Sequence, residues 1–585
     1  MEEKHAVARE AFLSWVALGK PRQGHEFMQM KKSRARFKLA LRYCRQHEDT
    51  LRSDAFAISL ATKNYNKFWK YVKKSNNANA TQFAVSVGGS TGISEVTEMW
   101  KQHYNNVYNS IVDVNSRALL EQRLLEGLDS CSTAYITVRD VVEICSRQQC
   151  GKAVGPDGVA MEAFIHGGSR LFVHVSLLFN LFVKVGYIPD SFMHSVFVPL
   201  VKSKIGDLSD VNNYRAIAIS TSFSKLFENV LSVHVKSVDK FDDYQFGFTP
   251  GCSTGICTSV FKRTVDYYTD RGSHVFVAFV DFSKAFDNVN YWKLFNMLLD
   301  DKVDTHIVRL VAFWYSNQRV RVRWNNCQSD FFTVGNGTRQ GGVLSPWLFN
   351  RYIRGLLREV IDSSVGCSVA GLATNILAYA DDLVLLAPSW EGLQCLLNIL
   401  EYNCKDLDMT VNVKKTVCMM FLPKKRSRVV ALNFPLFKFD REYLQFVHNF
   451  KYLGHWISSG NTDNDDIQRE ITNMFIRCNT LKRRFSHCST AVKLLLFKSY
   501  CLCLYDVYLW TRFKRETLLK LRSCYIKCVK SFFGYNRRDS VTLMLLDLGL
   551  PSFDTLMYNS SVSFHKQCVK CDNHLVRHMV KVLSL

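Results

Sequence analysis

The order of apolar and polar residues predicts buried strands and helices in the middle of the chain. Residues 275–280 form a continuous apolar run, which is typical of a strand buried on both faces. Two more apolar runs, within residues 375–387, flank a short polar segment and predict a hairpin. The longest apolar stretch, residues 171–189, is interrupted by polar residues. Because a membrane span needs about 20 consecutive apolar residues, this stretch is predicted to be a buried helix, with no membrane involved.

The N-terminal part of the chain shows a helical pattern. Residues 28–74 contain no proline or glycine, and their apolar residues recur at helical spacing, so we predict helices there. Near the end of this segment Phe68, Trp69 and Tyr71 lie among lysines, a mixture of stacking surfaces and phosphate partners. Residues 75–93, rich in Asn, Ser and Gly, are predicted to be a linker.

Positive charge is concentrated in two segments of the 585-residue chain. Residues 20–75 carry 15 Lys and Arg against 4 Asp and Glu, and residues 468–540 carry 16 against 4. These segments account for the whole formal net charge of +23. Solvated helix faces are one explanation. Two arms that follow a phosphate backbone are the other, because Lys and Arg that neutralise phosphates release counterions and strengthen binding.

The cysteine residues and one basic motif indicate the cellular compartment in which the protein is expected. The 19 Cys residues are scattered, as in a reduced intracellular protein, and the N-terminus lacks the apolar core of a secretory signal. Residues 423–428, Pro-Lys-Lys-Arg-Ser-Arg, are either a nuclear localisation signal or a solvated loop, and we expect the protein in the nucleus and cytoplasm. Cys568, Cys571, His574 and His578 are zinc-ligand types at a spacing too short for a zinc finger.

Three carboxylates follow the predicted strands. Asp381 and Asp382 lie at the predicted hairpin turn, and Asp281 ends the buried strand 275–280. Adjacent acids repel one another unless a cation neutralises them, although an ordinary Asp-rich turn is the alternative. Carboxylate oxygens suit Mg²⁺, and three of them on neighbouring strands could hold two ions about 3.5–4 Å apart, as two-metal phosphoryl transfer requires.

These carboxylates belong to a series of short segments: Asn213–Ser220, Tyr244–Phe248, Phe279–Asp287, Gly337–Pro346, Tyr379–Asp382, Asn412–Thr416 and Lys451–Gly454. In this order, across residues 182–457, they resemble the reverse transcriptases of the non-LTR (LINE-type) retrotransposon family. The segment Gly155–Gly158 extends the resemblance upstream.

The resemblance implies roles for individual residues. Asp281, Asp381 and Asp382 would be catalytic and would bind metal together with the backbone carbonyl of Phe282. Phe286 would lie under the deoxyribose and exclude a 2′-hydroxyl, with a core phenylalanine as the alternative. The other implied groups are the nucleotide-binding Arg215, Gln340, Gly341 and Lys415 and the primer- and template-binding Tyr452, Leu453, Gly454, Lys482, Arg483 and Arg484.

Two of these assignments carry qualifications in the sequence itself. Lys415 is either the acid that protonates pyrophosphate or a solvated lysine. The family usually has proline after the arginine, whereas this chain has Ala216, and we expect a looser turn there.

The expected fold is α+β, a right-hand polymerase with palm, fingers and thumb and a basic helical N-terminal extension. The expected boundaries are residues 1–75 for the extension, 76–181 for a linker and upstream fingers region, 182–457 for fingers and palm, and 458–585 for a helical thumb and basic C-terminal region. The segment before the basic arm is too short for an endonuclease domain, and the sequence shows no acidic set of an RNase H after the palm. We therefore expect the polymerase part of such an element.

The expected activity is RNA-directed DNA polymerisation with two Mg²⁺ ions, for which Mn²⁺ is a possible substitute. The expected partners are an RNA template, a DNA primer, deoxynucleoside triphosphates and a separate endonuclease. Two alternatives stay open: a catalytically inactive RNA- or DNA-binding remnant of such an element, and a maturase-like polymerase of the same fold.

Overall fold

The computed structural model describes residues 2–62, 64, 86–127, 134–203, 206–236, 243–423 and 434–582. The chain divides into two compact units. The first combines Met1–Asn79 with Asn464–Ser561, and the second combines Ala80–Asp463 with Val562–Leu585. Each unit has its own hydrophobic core.

The helices are numbered in chain order: α1 Glu2–Ala17, α2 His25–Gln46, α3 Glu48–Ala61, α4 Ile93–Val107, α5 Val114–Gly127, α6 Val138–Ser146, α7 Glu162–Ile165, α8 Gly168–Val185, α9 Asp190–Met193, α10 Ser222–Lys236, α11 Thr254–Asp270, α12 Tyr291–Asp300, α13 Thr305–Ser316, α14 Ser345–Asp362, α15 Trp390–Asp406, α16 Asn464–Phe485, α17 Thr490–Tyr500, α18 Arg515–Phe533, α19 Val541–Asp547, α20 Phe553–Lys570 and α21 His574–Val582.

The strands are numbered in the same way: β1 Ser86–Val87, β2 Ser90–Thr91, β3 His194–Val201, β4 Tyr214–Ser220, β5 Val275–Val280, β6 Arg319–Trp324, β7 Cys327–Gln328, β8 Phe332–Thr333, β9 Ser368–Val369, β10 Leu372–Ala373, β11 Ile376–Tyr379, β12 Asp382–Ala387, β13 Val417–Phe421, β14 Lys438–Phe439, β15 Glu442–Tyr443, β16 Gln445–Phe446, β17 Asn449–Tyr452 and β18 His455–Ser458.

One five-stranded sheet of the second unit, which we call the palm sheet, has the order β11-β12-β5-β13-β16. Strand β5 lies at its centre and pairs antiparallel with β12 and β13, whereas β13 and β16 are parallel. All six residues of β5 are buried, because helices α11 and α15 contact it in addition to its two neighbouring strands. The structure therefore confirms the continuous apolar run as a buried strand and residues 376–387 as a hairpin beside it.

A second sheet, the fingers sheet, has the order β4-β3-β6-β7, with β8 beside β6. Strands β3 and β4 are antiparallel and align Pro199 with Ala216. Residue 216 is thus inside a regular strand, and the looser turn expected there is wrong. Burial alternates along β4, with Arg215 exposed between the buried Tyr214 and Ala216.

Helix α8 differs from its expectation. Phe179, Phe182 and Val183 pack into the core, but Leu177 and Leu181 lie on an exposed face. The predicted buried helix is therefore buried on one side only. By length and composition alone this helix is long and apolar enough to cross a membrane. Core helices of proteins that do not span a membrane can meet the same two criteria.

The first unit is helical. Met474, Leu496, Phe497, Leu521 and Val529 are fully buried in its core, where α16, α17 and α18 meet. The helices predicted within residues 28–74 are present as α2 and α3, with a break at His47, and helix α1 lies in the earlier part of the predicted helical extension 1–75. The aromatic–lysine mixture at 67–74, most of the predicted linker and residues 424–428 of the basic motif lie outside the described residues. The mixed α/β fold class is confirmed.

Candidate active site

The adjacent carboxylates lie at the tip of the β11–β12 hairpin. The two strands end in the pair Tyr379–Asp382, so Ala380 and Asp381 form a two-residue turn. Ala380 has a φ of +57°, which L-residues rarely adopt. This conformation places Asp381 in the turn and Asp382 at the first position of β12.

Asp281 follows β5 and lies opposite the hairpin. Strands β5 and β12 pair Val280 with Leu383, so the next position in the same register brings Asp281 opposite Asp382. The backbone at Asp281 is fixed from the far side, where its carbonyl accepts a hydrogen bond from Asn412 N at 2.7 Å and its N–H donates to Thr416 Oγ1 at 3.2 Å. The sheet thus brings all three predicted carboxylates to one edge.

Burial and neighbouring negative charge both raise the pKa values of Asp381 and Asp382. Desolvation raises the pKa of Asp381, and the neighbouring charge of Asp281 adds to the shift, while Arg215 opposes it. The pKa of Asp382 is raised to about 6 by desolvation and by Asp381 and Asp281, although its side chain is open to solvent. A cation would relieve this repulsion.

The donor set fits a divalent cation that shares its ligands with a substrate. Within the described part of the chain, no three His, Cys, Asp or Glu side chains are close enough to hold a metal ion alone. Mg²⁺ is commonly held by one or two carboxylates, with water and substrate phosphates completing an octahedral shell. The carbonyl of Phe282, which accepts no hydrogen bond from any described residue, is a further oxygen donor beside Asp281.

Two cations, Arg215 and Lys415, act on the three carboxylates, and two more, Lys202 and Lys284, lie beside these cations. The pKa of Lys202 is lowered by desolvation and by the charges of Lys415, Arg215 and Lys284. Arg215 projects from β4 and has no ion-pair partner among the described residues. Lys415 is 71% exposed and its Nζ lies 3.8 Å from Asp281 Oδ2. An anion entering between the two sheets would therefore meet four positive side chains.

Two of these cations were missed by sequence reasoning. Lys202 lies at the end of β3, and Lys284 lies inside the segment Phe279–Asp287 with a φ of +51°. The second could have been found from its place in that segment. Lys202 could be found only from the pairing of β3 with β4. This pairing aligns Val201, the residue before Lys202, with Tyr214, the residue before Arg215.

Gln340 and Gly341 lie in a loop that is tied to both sheets. Gln340 O accepts a hydrogen bond from Ala218 N of β4 at 2.8 Å, and Gln340 Nε2 donates to Asp287 Oδ1 at 3.0 Å. Gly341 has a φ of +111°, and a Cβ there would lie 3.0 Å from Ala218 O, so the chain needs glycine at this position. Asp287, a third residue that sequence reasoning missed, also accepts a hydrogen bond from Tyr108 at 2.7 Å.

A buried ion pair anchors the same loop. Arg339 pairs with Glu228 of α10, and both side chains are almost fully buried. Glu228 Oε2 also accepts a hydrogen bond from Val343 N at 2.6 Å. Moving the loop away would separate Arg339 from Glu228 and leave a buried charge without its partner. This cost keeps the loop in one position.

Phe286 lies between the carboxylates and this loop. Its ring stacks on Phe349 at 4.3 Å and meets the edge of Phe248 at 6.3 Å. Its carbonyl accepts a hydrogen bond from Thr338 N at 2.7 Å. The ring is half-buried, so its packing and its exposed edge are both compatible with the predicted contact to a sugar.

Comparison with known proteins identifies this region. Residues 202–457 match the family model described as reverse transcriptase (RNA-dependent DNA polymerase). Over these residues the chain is similar to reverse transcriptases. The predicted resemblance is confirmed, and the palm and fingers sheets belong to the polymerase fold of this family.

Individual relatives of the reverse transcriptase domain come from retrotransposable elements. The chain is 26% identical to the Pol polyprotein of element R2 of Nasonia vitripennis and 27% identical to that of R2DM of Drosophila melanogaster, over 54% and 53% of its length. It is 21% identical to the RNA-directed DNA polymerase of mobile element jockey of Drosophila funebris over 76% of its length. These alignments cover 30%, 29% and 49% of the relatives, so the chain spans half of their length or less.

The hairpin predicted around residues 452–454 is present as β17 and β18. Leu453 and Gly454 form its turn, with φ values of +47° and +93°. Tyr452 is buried, and its ring packs on Phe261 and Phe279, so this residue supports the hairpin from inside.

The last predicted nucleic-acid contacts lie in the first unit. Lys482, Arg483 and Arg484 form the last turn of α16, and all three are exposed. Lys482 donates a hydrogen bond to Ser531 Oγ at 3.0 Å. Cations are favourable at a helix C-terminus, so part of this charge also stabilises α16.

Proposed function

We propose that the chain is an RNA-directed DNA polymerase that adds deoxynucleotides to a primer 3′ end, as in non-LTR retrotransposons. The observation that carries the proposal is the meeting of three carboxylates at the edge of the palm sheet, with Arg215 and Lys415 next to them and two further lysines beside these cations. A deoxynucleoside triphosphate carries both a metal-binding triphosphate and the negative charge that the cations would neutralise. The family match supports the template and the substrate class.

Different side chains would have different roles in nucleotide addition. Asp281, Asp381 and Asp382 would hold two Mg²⁺ or Mn²⁺ ions, which lower the pKa of the attacking 3′-hydroxyl and neutralise charge on the departing pyrophosphate. Arg215 would bind the triphosphate with its forked donors, and Lys415, exposed and near Asp281, would donate a proton to pyrophosphate.

Base and sugar would be selected next to the carboxylates. Phe286 would exclude a 2′-hydroxyl, and Gln340 and Gly341 would contact the nascent base pair. The turn Leu453–Gly454 would support the primer end, with Tyr452 as its internal anchor.

The first unit would bind nucleic acid through its basic helices. A cleft of about 1180 Å³ between α1 and α2 is lined by Lys4, Lys32, Arg36, Arg42 and Tyr43. None of these four cations has an ion-pair partner in the described ranges of the chain, so their charge is free for phosphates. We assign the N-terminal extension and the basic end of α16 to binding of the template and the duplex.

The proposal is completed by two statements about the setting. A separate endonuclease would supply the nicked DNA that serves as primer. The protein would act in the nucleus and the cytoplasm, where such an element's RNA and its target DNA are found.

Primer extension tests the proposal. A labelled DNA primer on an RNA template is incubated with the protein, deoxynucleoside triphosphates and Mg²⁺, beside the variant Asp381→Asn. We expect incorporation by the wild type alone, together with equal, salt-sensitive binding of the duplex by both proteins. Binding without incorporation by the wild type would overturn the proposal in favour of an inactive nucleic-acid-binding remnant.

A further inference from the structure

The buried side chain of Gln245 holds the backbone of the turn that carries Asp381. Its Oε1 accepts hydrogen bonds from the N–H groups of Ala380 and Gly247, both at 2.8 Å, and its Nε2 donates to Ala380 O at 3.2 Å. A side-chain amide thus satisfies both backbone polar groups of Ala380. Gln245 is only 2% exposed, so water does not compete for these bonds.

The chemistry of these bonds requires an amide. An acceptor must face two N–H groups while a donor faces one carbonyl, and the uncharged amide of Gln presents both on one planar group. A glutamate would keep the acceptor but would place a second oxygen against Ala380 O and a charge beside the catalytic acids. A methionine would fill the space and leave the N–H and C=O of Ala380 unpaired.

The turn needs such support because of its backbone conformation. Ala380 is held at a φ of +57°, a region that is unfavourable for a residue with a Cβ unless its surroundings fix it. No glycine relieves the strain at this position. The segment Tyr244–Phe246 pairs alongside β11 through two further backbone bonds with Ala378, at 2.8 and 2.9 Å, so the support is rigidly attached to the sheet.

Gly247 presses on the same turn from outside. A Cβ at this position would lie 2.2 Å from Ala380 N and 2.9 Å from its Cα. These are backbone atoms that cannot rotate away, so any side chain at 247 would push the turn outward. Asn350 Nδ2 donates to Gly247 O at 2.8 Å and keeps this contact close.

We propose that Gln245 and Gly247 are positioning residues that set the place of Asp381 and thereby determine cation affinity and kcat. This inference rests on the proposed polymerase function. Residues that orient metal ligands commonly change metal affinity or activity by about 10- to 100-fold when they are replaced. Neither residue is placed to touch the substrate, so the affinity for nucleotide and duplex should not depend on them.

The test uses two variants with matched controls in the full chain. Gln245→Met is compared with Gln318→Met, another buried glutamine, which donates to Tyr315 O. Gly247→Ala is compared with Gly355→Ala, where a Cβ would meet nothing within 4 Å. Gln245→Glu tests the need for the donor. Thermal unfolding and duplex binding are measured for every protein to establish that it is folded.

Two readouts are decisive. Direct binding of Mn²⁺, followed by electron paramagnetic resonance without substrate, should weaken about 10-fold or more in Gln245→Met and Gly247→Ala and stay unchanged in the controls. In primer extension, kcat should fall about 10- to 100-fold and the half-activating Mg²⁺ concentration should rise, while KM for the nucleotide stays within about twofold.

The failure of this inference and that of the polymerase function give different results. Folded variants with wild-type Mn²⁺ binding and kcat would overturn the positioning role, provided that the wild type polymerises and Asp381→Asn does not. Absence of polymerisation by the wild type would overturn the proposed function, and Mn²⁺ binding would still decide whether Gln245 positions the carboxylates.

Discussion

The palm and fingers sheets both belong to the second unit, but they present side chains of opposite charge. The central palm strand β5 is buried along its whole length and ends in Asp281. The fingers strand β4 alternates between buried and exposed residues and displays Arg215 in its middle. Both charged residues act on Asp381, because Asp281 raises the pKa of that carboxyl and Arg215 lowers it.

The difference between the sheets shows how burial governs where charge can lie. A strand covered on both faces has no solvated position for a charge along its length, so its carboxylate lies at the strand end. A strand with one open face can carry a cation anywhere on that face. The palm therefore supplies fixed ligands at one edge, and the fingers supply cations spread over a surface.

The largest effect should come from removing a palm carboxylate. Asp381→Asn should lower incorporation at least about 1000-fold, because stabilisation of the transition state by metal is worth several kcal/mol. Single-turnover primer extension measures the loss. Asp330→Asn, at a side chain that is 95% exposed on the fingers, is the matched control and should leave the rate unchanged.

Removing a fingers cation should have a smaller effect of a different kind. Arg215→Ala should raise KM for the nucleotide about 10- to 100-fold, since a hydrogen bond to a charged group is worth about 1.5–3 kcal/mol. Arg215→Lys should give a KM for the nucleotide between those of the wild type and Arg215→Ala, because lysine keeps the positive charge but lacks the paired donors of the guanidinium group. Steady-state kinetics check this, with Arg319→Ala on β6 as control. A fall in kcat alone would show that Arg215 belongs with the carboxylates instead.

The ring between the two sheets should govern the choice of sugar. Phe286→Val should reduce discrimination against ribonucleotides about 10-fold or more, since it opens room for a 2′-hydroxyl next to the carboxylates. Competition between ribo- and deoxynucleoside triphosphates in primer extension measures the ratio. Phe286→Tyr keeps the bulk and should keep the discrimination. Unchanged selectivity in Phe286→Val would make this residue part of the core only.

The smallest effect concerns the stability of the two sheets. Val277→Ala in the fully buried β5 should cost about 2–3 kcal/mol, and Val198→Ala in the half-buried position of β3 about half as much. Thermal unfolding, read as the shift of the transition midpoint, compares the two identical substitutions. Equal shifts of the midpoint would contradict the expectation that the more deeply buried palm strand loses more stability than the fingers strand.

Local pattern predicted the elements that depend on neighbours in the chain. The apolar run 275–280 and the paired runs around Asp381 were strong enough to predict β5 and the β11–β12 hairpin, because a strand buried on both faces needs a continuous apolar run and these runs are too short for helices. The same approach failed for α8, since an apolar helix does not reveal which of its faces a partner covers. It also failed at Ala216, where pairing with β3 keeps the strand straight.

By itself the sequence predicted the resemblance to reverse transcriptases, the three candidate carboxylates and the strands that present them, because these are properties of residue order. Only the tertiary structure decided which cations face the carboxylates and which buried groups hold the turns. Lys202, Asp287 and Gln245 lie far along the chain from the residues that they affect. Such contacts depend on strand register and packing, which bring distant segments to within a few ångströms of one another.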